Sequence, residues 1–506
     1  MGSTPGVARP ASPPRPERLA AVVSGVVAGV IVFHRALAYY FSQDDFLGLA
    51  RAGGLAPRLT GPWRFLSHQA IFDALRPLAG LDPMPYHLVS LVSHAACVAL
   101  LALFLARRVS PAAALLGAVF FAAHPALYTV LFWFSAVGDS LALLFALAAL
   151  MLAMRTDRRR WLALPLFALS LLAKESTLLL PAVVALAGRF DPAARDARRR
   201  GRIGVPLGLT AVAIAYAAAF ALGNAFGVRE GISAGAPYAF GPGPHVLANA
   251  LTYLGWTVAI PLPLARGFYD AVDPTVHPWG YVALALWLLG LASRRLRGAG
   301  WVMGGTMWLL FLIPMLGLRH HTYHYYLYAP MAGTAWCVAA AAERIQPRGR
   351  RTWMIAGAAA ALLTFNGALF VRKIETMPFV LPGLRADPTV DRARIAHNVH
   401  DDLGAVTLPP GVTLLFWSPT AASLGPRGET LGGSAPVATY WERNVGDALL
   451  GGLAVRVMFP QVAEVRFVRE LRPTAPNEWY AAYKPDGRVR VATSAAVDSI
   501  LRAGRR

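Results

Sequence analysis

Two adjacent carboxylates, Asp44 and Asp45, directly follow the first long apolar segment of this 506-residue chain. A carboxylate within hydrogen-bond reach of a hydroxyl group can act as a general base. Basic residues stand at Arg64 in the loop that follows, at Lys174 in the middle of a later apolar run and at Arg319 directly after another. Arginine and lysine bind phosphate through charge-assisted hydrogen bonds. Together these residue types suit the transfer of a group from a lipid phosphate at a membrane surface to an acceptor hydroxyl.

Each of these features also has a plain structural interpretation, which the sequence leaves open. The acidic pair can belong to a solvated loop, and Lys174-Glu175 can be a structural ion pair. Asp139 can cap the helix that follows it, and His124 can form a cap or a turn. The His/Tyr cluster at 320–328 can form an interfacial aromatic belt. Because the spacing of that cluster fits no strong metal motif, we predict no bound metal.

The composition predicts that membrane-spanning helices position these residues. The chain is 56% hydrophobic and 15% charged, with a mean hydropathy of +0.47, whereas a soluble domain carries about 25% charged residues. A helix needs roughly 20 residues to cross the bilayer core. Apolar runs begin near Leu19 and continue at about 86–106, 111–127, 138–154, 161–188, 203–226, 279–293, 300–318, 325–342 and 352–371.

The arginine clusters between these runs predict their orientation. The net charge of +21 is carried almost entirely by arginine, and arginine-rich loops stay in the cytoplasm. For all clusters to lie there, run 161–188 must cross twice, which places Lys174-Glu175 at the outer surface. At the bilayer centre, each of these charges would cost roughly 3 kcal/mol. Segment 245–264, with Pro261 and Pro263, is then re-entrant or interfacial on the outer side.

This interpretation gives about eleven spans, with the amino terminus in the cytoplasm and the carboxyl terminus outside. It makes the basicity a sign of topology rather than of nucleic-acid binding. Residues 1–18 form a basic cytoplasmic tail, 19–372 the membrane domain, and 373–506 a small extracytoplasmic α/β domain. In the last part, 411–417 predicts a buried strand and 479–492 a hairpin. Cys97 and Cys337 lie in apolar runs and predict neither a disulfide nor a zinc site.

An ordered series of motifs over about 35–375 resembles the GT-C class of polytopic glycosyltransferases. Asp44-Asp45 resembles the acidic motif that follows the first span of that class, and WRFLS at 63–67 resembles its aromatic-Arg-Pro-Leu-Ser motif. Similar elements follow as AGLDPMPYHLVSLVSH at 79–94, HPALYTVLFWFSAVGDSLALLF at 124–145, LLAKESTLLLP at 171–181 and YLYAP at 326–330. The most similar members are protein O-mannosyltransferase-like enzymes, including those with tetratricopeptide repeats, in place of which this chain has 375–506.

The resemblance implies an α-helical membrane glycosyltransferase whose donor is a polyprenyl-phosphate-linked sugar, with no other cofactor. It implies that Asp44 is the catalytic base, that Asp45 supports it, and that Arg64 and Lys174 contact the donor phosphate. Glu175 would orient Lys174. The supporting residues in the matching motifs are His87, His124, Asp139 and Tyr326. The chain differs from the family at Phe65 (family Pro), at Thr129 (family Glu) and at Val137-Gly138 (often basic).

The expected setting is a bacterial inner membrane, with transfer on the periplasmic side to a protein, lipid or glycan acceptor. Two other functions stay open. A lipid-linked glycan flippase or transporter would carry functional charges near the midplane of its spans and inverted repeats. A non-catalytic scaffold would use the outer domain to bind a glycan or a partner, and the differences at Thr129 and Val137 favour it. The enzyme hypothesis predicts that Asp44, Arg64, Asp139 and Lys174 converge on one site.

Overall fold

The computed structural model describes residues 15–190, 204–223, 239–258, 274–296, 298–345, 350–378, 385–417, 437–468, 475–484 and 486–503. Over these residues the fold is a helical bundle followed by a small mixed sheet with its own helices. The helices of the bundle and its connections are α1 (Arg15–Phe33), α2 (Asp44–Ala52), α3 (Ile71–Ala79), α4 (Pro83–Leu105), α5 (Pro111–Ala122), α6 (Tyr128–Phe132), α7 (Val137–Ala153), α8 (Ala163–Ala173), α9 (Leu180–Phe190), α10 (Gly204–Gly223), α11 (His245–Trp256), α12 (His277–Ala292), α13 (Ala299–Leu316), α14 (Tyr328–Ile345) and α15 (Arg350–Thr376).

Six of the described helical segments are long and apolar enough to cross a membrane, so the chain is a multi-pass membrane protein. They are Pro16–Ala38, Pro83–Leu105, Phe134–Ala153, Gly204–Leu222, Ala299–Leu316 and Arg351–Thr376. The pair Pro111–Ala122 and Pro125–Phe132, bent by 47°, forms a seventh span if it crosses as one unit. These seven segments correspond to seven of the predicted runs.

The other four predicted crossings fall on shorter or less apolar helices. Run 161–188 is interrupted at Lys174, which separates α8 and α9, each 11 residues long. Runs 279–293 and 325–342 correspond to α12 and α14. The total of eleven therefore stays a prediction. Segment 245–264 begins with α11, but Pro261 and Pro263 lie outside the described residues.

One close helix crossing shows that α1 and α4 run in opposite directions. Gly25 of α1 lies against Val98 of α4, and Gly29, one turn later, lies against His94, one turn earlier. At the end of the bundle that carries Arg108 and Arg344, which we call the arginine end, the Ser110 backbone N–H donates to the Glu343 carboxylate at 2.7 Å. Arg108 lies beside Met154 there.

The opposite end of the bundle, called here the carboxylate end, carries Asp45, Asp139 and Lys174. This separation of arginine-rich segments from the acidic motif agrees with the arrangement that the arginine pattern predicts. Which end faces the cytoplasm stays a prediction.

The part after α15 contains a four-stranded sheet. Its elements are α16 (Pro388–Gly404), β1 (Val412–Trp417), α17 (Val437–Ala448), α18 (Leu453–Met458), β2 (Val462–Val468), β3 (Glu478–Tyr483), β4 (Val489–Ala492) and α19 (Ser494–Ala503). The strand order is β2-β1-β3-β4, with β1 parallel to β2 and β3, and β3 antiparallel to β4. The predicted strand at 411–417 and hairpin at 479–492 are confirmed. The hairpin turns at Gly487, whose φ of +83° suits glycine.

The sheet domain is packed against the segment that carries the acidic motif. One continuous apolar cluster joins Phe41, Phe46 and Leu49 with Ile395 and Val455. The domain therefore shares a core with α2 and lies at the carboxylate end. Whether this end is extracytoplasmic stays a prediction.

Candidate active site

The acidic motif begins in a tight turn that ends α1 and starts α2. The Asp45 N–H donates to the Ser42 carbonyl at 3.1 Å, which closes a four-residue turn. Gln43 has φ 53° and ψ −127°, the conformation of the first central residue of a type II′ turn, where glycine is preferred. A non-glycine residue with positive φ is strained by about 1–3 kcal/mol, and such residues cluster at functional sites.

The two carboxylates of the motif have different environments. Asp45 is fully buried, and its carboxylate accepts hydrogen bonds from the Ser42 N–H at 3.0 Å and from the N–H and hydroxyl of Ser135, each at 2.6 Å. Burial raises the pKa of Asp45 to about 7, although these bonds act to lower it. Asp44 is half-buried, and its carboxylate accepts no hydrogen bond from the described residues. Asp45 is thus a fixed structural group, and Asp44 is available to another molecule.

Arg64 is held in place by Glu175. Its Nη2 and Nε donate to the two carboxylate oxygens at 2.6 and 3.2 Å, and the indole N–H of Trp63 donates to the same carboxylate at 3.2 Å. Arg64 also has a positive φ of 51°, and one turn of π-helix follows at Leu66–Ala70. Both backbone features are frequent at functional sites.

Lys174 forms a buried ion pair with Asp139. Its Nζ lies 2.5 Å from Asp139 Oδ2, and the side chains are 6% and 1% exposed. The same Nζ lies 4.9 Å from the ring centres of Tyr325 and Tyr326, so two aromatic faces add cation–π attraction. The expectation that Glu175 orients Lys174 is therefore corrected, because Glu175 pairs with Arg64 and Asp139 pairs with Lys174.

Further contacts and charges join these pairs to the acidic motif. The Ser67 hydroxyl donates to the carbonyl of Ala173, the residue before Lys174, at 2.8 Å. Burial raises the pKa of Asp44, while the positive charges of Arg64, Arg51 and Arg392 lower it. The predicted residues Asp44, Arg64, Glu175, Asp139 and Lys174 thus form one cluster at the carboxylate end, with the buried Asp45 adjacent to Asp44 and Tyr326 beside Lys174.

Three predicted residues are not joined to this cluster by any contact among the described residues. His124 caps the short 3-10 helix at Pro125–Leu127 by accepting from the Ala126 N–H at 3.3 Å, as its plain interpretation predicts. His87 is fully buried, with Nδ1 bonded to the Leu131 carbonyl at 3.1 Å. Arg319 is exposed, and its N–H donates to the Ala239 carbonyl at 2.9 Å.

The prediction from sequence missed two residues of the cluster. His68 follows the WRFLS motif and bonds to Ser67 at 2.9 Å. Burial lowers the pKa of His68 to about 3, with help from the charges of Arg64 and Lys174, so it is neutral near pH 7. Its adjacency to the motif is a signal that could have found it. Arg392 lies nearly 350 residues along the chain from Gln43, and only folding brings the two together.

The cluster combines an accessible carboxylate with two cations that are each held by a second carboxylate. This set can accept a proton from a hydroxyl group and can offer positive charge to an anion beside it. Among the residues that the structure describes, no group of three or more His, Cys, Asp or Glu side chains could hold a metal ion.

Comparison with protein-family models and with curated protein sequences finds no match. Three solved chains match the fold, among them the crystal structure of ArnT from Cupriavidus metallidurans bound to undecaprenyl phosphate. That match has a TM-score of 0.44 and 13% sequence identity, and covers 87% of this chain and 77% of the other.

Proposed function

We propose that this protein is a membrane glycosyltransferase of the GT-C class. It moves a sugar from a polyprenyl-phosphate carrier to an acceptor hydroxyl on the extracytoplasmic face of a bacterial inner membrane. The acceptor class is a protein, a lipid or a glycan. The observation that carries this proposal is the half-buried carboxylate of Asp44. It accepts no hydrogen bond among the described residues, and the positive charge of nearby Arg64 acts to lower its pKa. The ordered motif series in the sequence supports the same reaction.

Asp44 has the properties that the reaction requires of its base. Its partner Asp45 uses both carboxylate oxygens for internal hydrogen bonds, which leaves Asp44 as the carboxylate of the motif that an acceptor can reach. Burial raises the pKa of Asp44 above its ordinary value. A stronger base results, because a carboxylate with a raised pKa takes up a proton more readily.

The basic residues would receive the leaving phosphate. Arg64 is oriented by the Glu175 carboxylate, and a guanidinium held in this way loses little entropy when it binds a second anion. Lys174 has three N–H donors. It can therefore keep its bond to Asp139 while it turns another donor toward a phosphate. Arg319, outside the cluster, is a less direct candidate for the same anion.

The reaction would be a single displacement with inversion at the sugar. The acceptor oxygen attacks the anomeric carbon and forms the new glycosidic bond while its proton passes to Asp44. The bond between the anomeric carbon and the phosphate oxygen breaks, and its electron pair leaves with the polyprenyl phosphate. Arg64 and Lys174 stabilise the negative charge that develops on that phosphate.

The test uses membranes that contain the full-length chain and its native acceptors. Undecaprenyl-phosphate hexoses labelled in the sugar are added as a panel, and release of undecaprenyl phosphate and transfer of label are followed. Asp44→Asn should lower the initial rate by about 100- to 10,000-fold, the contribution of a general base. Asp73→Asn is the matched control, because Asp73 is a nearby carboxylate paired with Arg58, and its rate should equal that of the wild type. Equal rates for Asp44→Asn and wild type would overturn Asp44 as the base. Donor movement across the membrane without label transfer would favour a flippase.

A further inference from the structure

The residue before Asp44 has an unfavourable backbone conformation and an engaged side chain. Glycine would adopt the φ and ψ of Gln43 without strain. Gln43 is nevertheless buried, at 8% exposure, and its Oε1 accepts a hydrogen bond from Arg392 Nη1 at 2.6 Å. The Gln43 N–H also donates to the carbonyl of Ala448 at 3.2 Å. Both partners belong to the sheet domain, so that domain holds the strained turn from two sides.

Arg392 is itself fixed from several directions. Its side chain is 1% exposed, and its Nη2 lies 2.5 Å from the carboxylate of Asp447. Its Nε donates to Asn444 Oδ1 at 3.4 Å. The Asn444 amide in turn donates to Asp391 at 2.7 Å. A guanidinium anchored by α16 and α17 in this way has little freedom to follow movements of Gln43, so Gln43 must adapt to Arg392.

We propose that Arg392 is a positioning residue that fixes Asp44 through Gln43, so that the sheet domain sets the geometry of the catalytic base. The inference rests on the proposed function for its effect on rate, but its effect on the Asp44 carboxylate is independent of that function. We call the contact of Arg392 with Gln43 the clamp. Because a misplacement of about 1 Å can cost about 100-fold in rate, loss of the clamp has a measurable consequence.

Because charged groups surround Asp44, removal of Arg392 should change the pKa of the Asp44 carboxylate. The charged groups that face this carboxylate come from its own helix, from the WRFLS segment and from the sheet domain: Arg51, Arg64, Arg392, Asp447 and the adjacent Asp45. Arg392 forms an ion pair with Asp447. Loss of Arg392 therefore removes a positive charge near Asp44 and leaves the negative charge of Asp447 less compensated. Both changes raise the pKa of Asp44.

Three variants of the full-length chain separate charge, geometry and folding. Arg392→Gln removes the charge and the planar guanidinium group, and Arg392→Lys keeps the charge without that group. Gln43→Gly removes the bonded side chain and relieves the backbone strain at the positive φ. Arg490→Gln is the matched control, because Arg490 is an exposed arginine of the same domain. Two measurements are made: the rate of label transfer against pH, and the labelling of Asp44 by a carbodiimide and an amine, located by peptide mass spectrometry and normalised to Asp73.

We expect each clamp variant to lose about 10- to 100-fold in rate while its affinity for undecaprenyl phosphate stays within about threefold of wild type. The pH midpoint of Asp44 labelling should rise by about one unit in Arg392→Gln and stay near wild type in Arg392→Lys. Gln43→Gly should keep the thermal stability of the wild type and still lose rate. Arg490→Gln should match wild type in every measurement.

The outcomes distinguish this inference from the proposed function. If the wild type transfers no label but Arg392→Gln still shifts the labelling midpoint of Asp44, the proposed glycosyltransferase function fails and the clamp stands. If transfer depends on Asp44 but neither Arg392→Gln nor Gln43→Gly alters the rate or the labelling, the clamp is overturned. Should Arg392→Gln fail to fold, Gln43→Gly decides the question, since a full rate there also overturns the clamp.

Discussion

Replacing the buried pair of Asp139 and Lys174 provides a decisive test of what that pair does. The two side chains are 1% and 6% exposed and lie 2.5 Å apart. Removing one member of such a pair leaves an uncompensated buried charge and costs about 3–5 kcal/mol, whereas replacing both with apolar groups of similar shape is often neutral. Leucine has the branched shape of aspartate, and methionine fills most of the volume of lysine.

Asp139→Leu and Lys174→Met should therefore each lower the free energy of unfolding by about 3–5 kcal/mol. The double variant should recover at least about 3 kcal/mol relative to the sum of the single variants, because it leaves no buried charge behind. The measurement is a titration with sodium dodecyl sulfate in mixed micelles, followed by tryptophan fluorescence. Simple additivity of the two losses would refute the reasoning that the pair is buried and mutually compensating.

The same double variant separates stability from function. If Lys174 contacts the donor phosphate, the stable double variant should bind undecaprenyl phosphate at least about 10-fold more weakly than wild type, the loss of one charge-assisted hydrogen bond. Wild-type affinity in a folded double variant would show that the pair is structural only. Arg64→Gln should then carry the whole loss of affinity.

Two further predictions concern stability. The pKa of Asp45 is raised to about 7 in the folded chain, so between about pH 4 and pH 7 the folded state holds a proton that the unfolded state has released. The free energy of unfolding should fall by up to about 4 kcal/mol as pH rises through this window. Asp45→Asn should weaken that pH dependence in thermal melts at pH 5 and 8. An unchanged pH dependence in the variant would contradict a raised pKa at Asp45. A side chain at Gly117 would meet the Ala335 carbonyl at 2.6 Å, whereas nothing lies within 4 Å of one at Gly357. Gly117→Ala should therefore destabilise the α5–α14 crossing by about 1–3 kcal/mol, whereas the control Gly357→Ala should not. Equal melting temperatures for the two variants would contradict the close approach of α5 and α14 at Gly117.

The sequence predicted the elements of this fold where a periodic signal exists. Membrane-length apolar runs, the strand at 411–417 and the hairpin at 479–492 all depend on local hydropathy or turn residues. The break at Lys174 follows from the cost of charge in a bilayer. The strand order β2-β1-β3-β4 and the core shared with α2 could not be predicted, because they depend on contacts between distant segments.

The candidate site was predictable in membership but not in pairing. Motif order identified Asp44, Arg64, Asp139, Lys174 and Glu175. Adjacency in sequence suggested that Glu175 serves Lys174. In a 3-10 turn, however, neighbouring side chains point in different directions, so Glu175 bonds Arg64 and Lys174 bonds Asp139. The Arg392 contact with Gln43 carries no sequence signal, because an arginine on an amphipathic helix is ordinarily a solvated residue.

The differences from the GT-C motifs that this sequence resembles also have a structural explanation, which bears on the choice between enzyme and scaffold. A side chain at Gly138, a position where the family often has a basic residue nearby, would lie 2.9 Å from the Ala173 carbonyl and 2.9 Å from the Ser67 hydroxyl. Glycine therefore permits the close approach that brings α7 against the end of α8. That approach places Asp139 beside Lys174, so this difference builds the ion pair.

The difference at Thr129 concerns another contact. Its hydroxyl bonds to His324 Nε2 at 2.5 Å, and His324 stacks on Tyr128 with ring centres 5.1 Å apart. Thr129 is fully buried, so a glutamate there would have to place a charge among aromatic rings. A scaffold that had lost its activity would have no reason to keep strained backbone at Gln43 and Arg64 and four buried or half-buried charges around an available carboxylate. Because each of these features costs stability, their presence together at one end of the bundle favours a site that still performs chemistry.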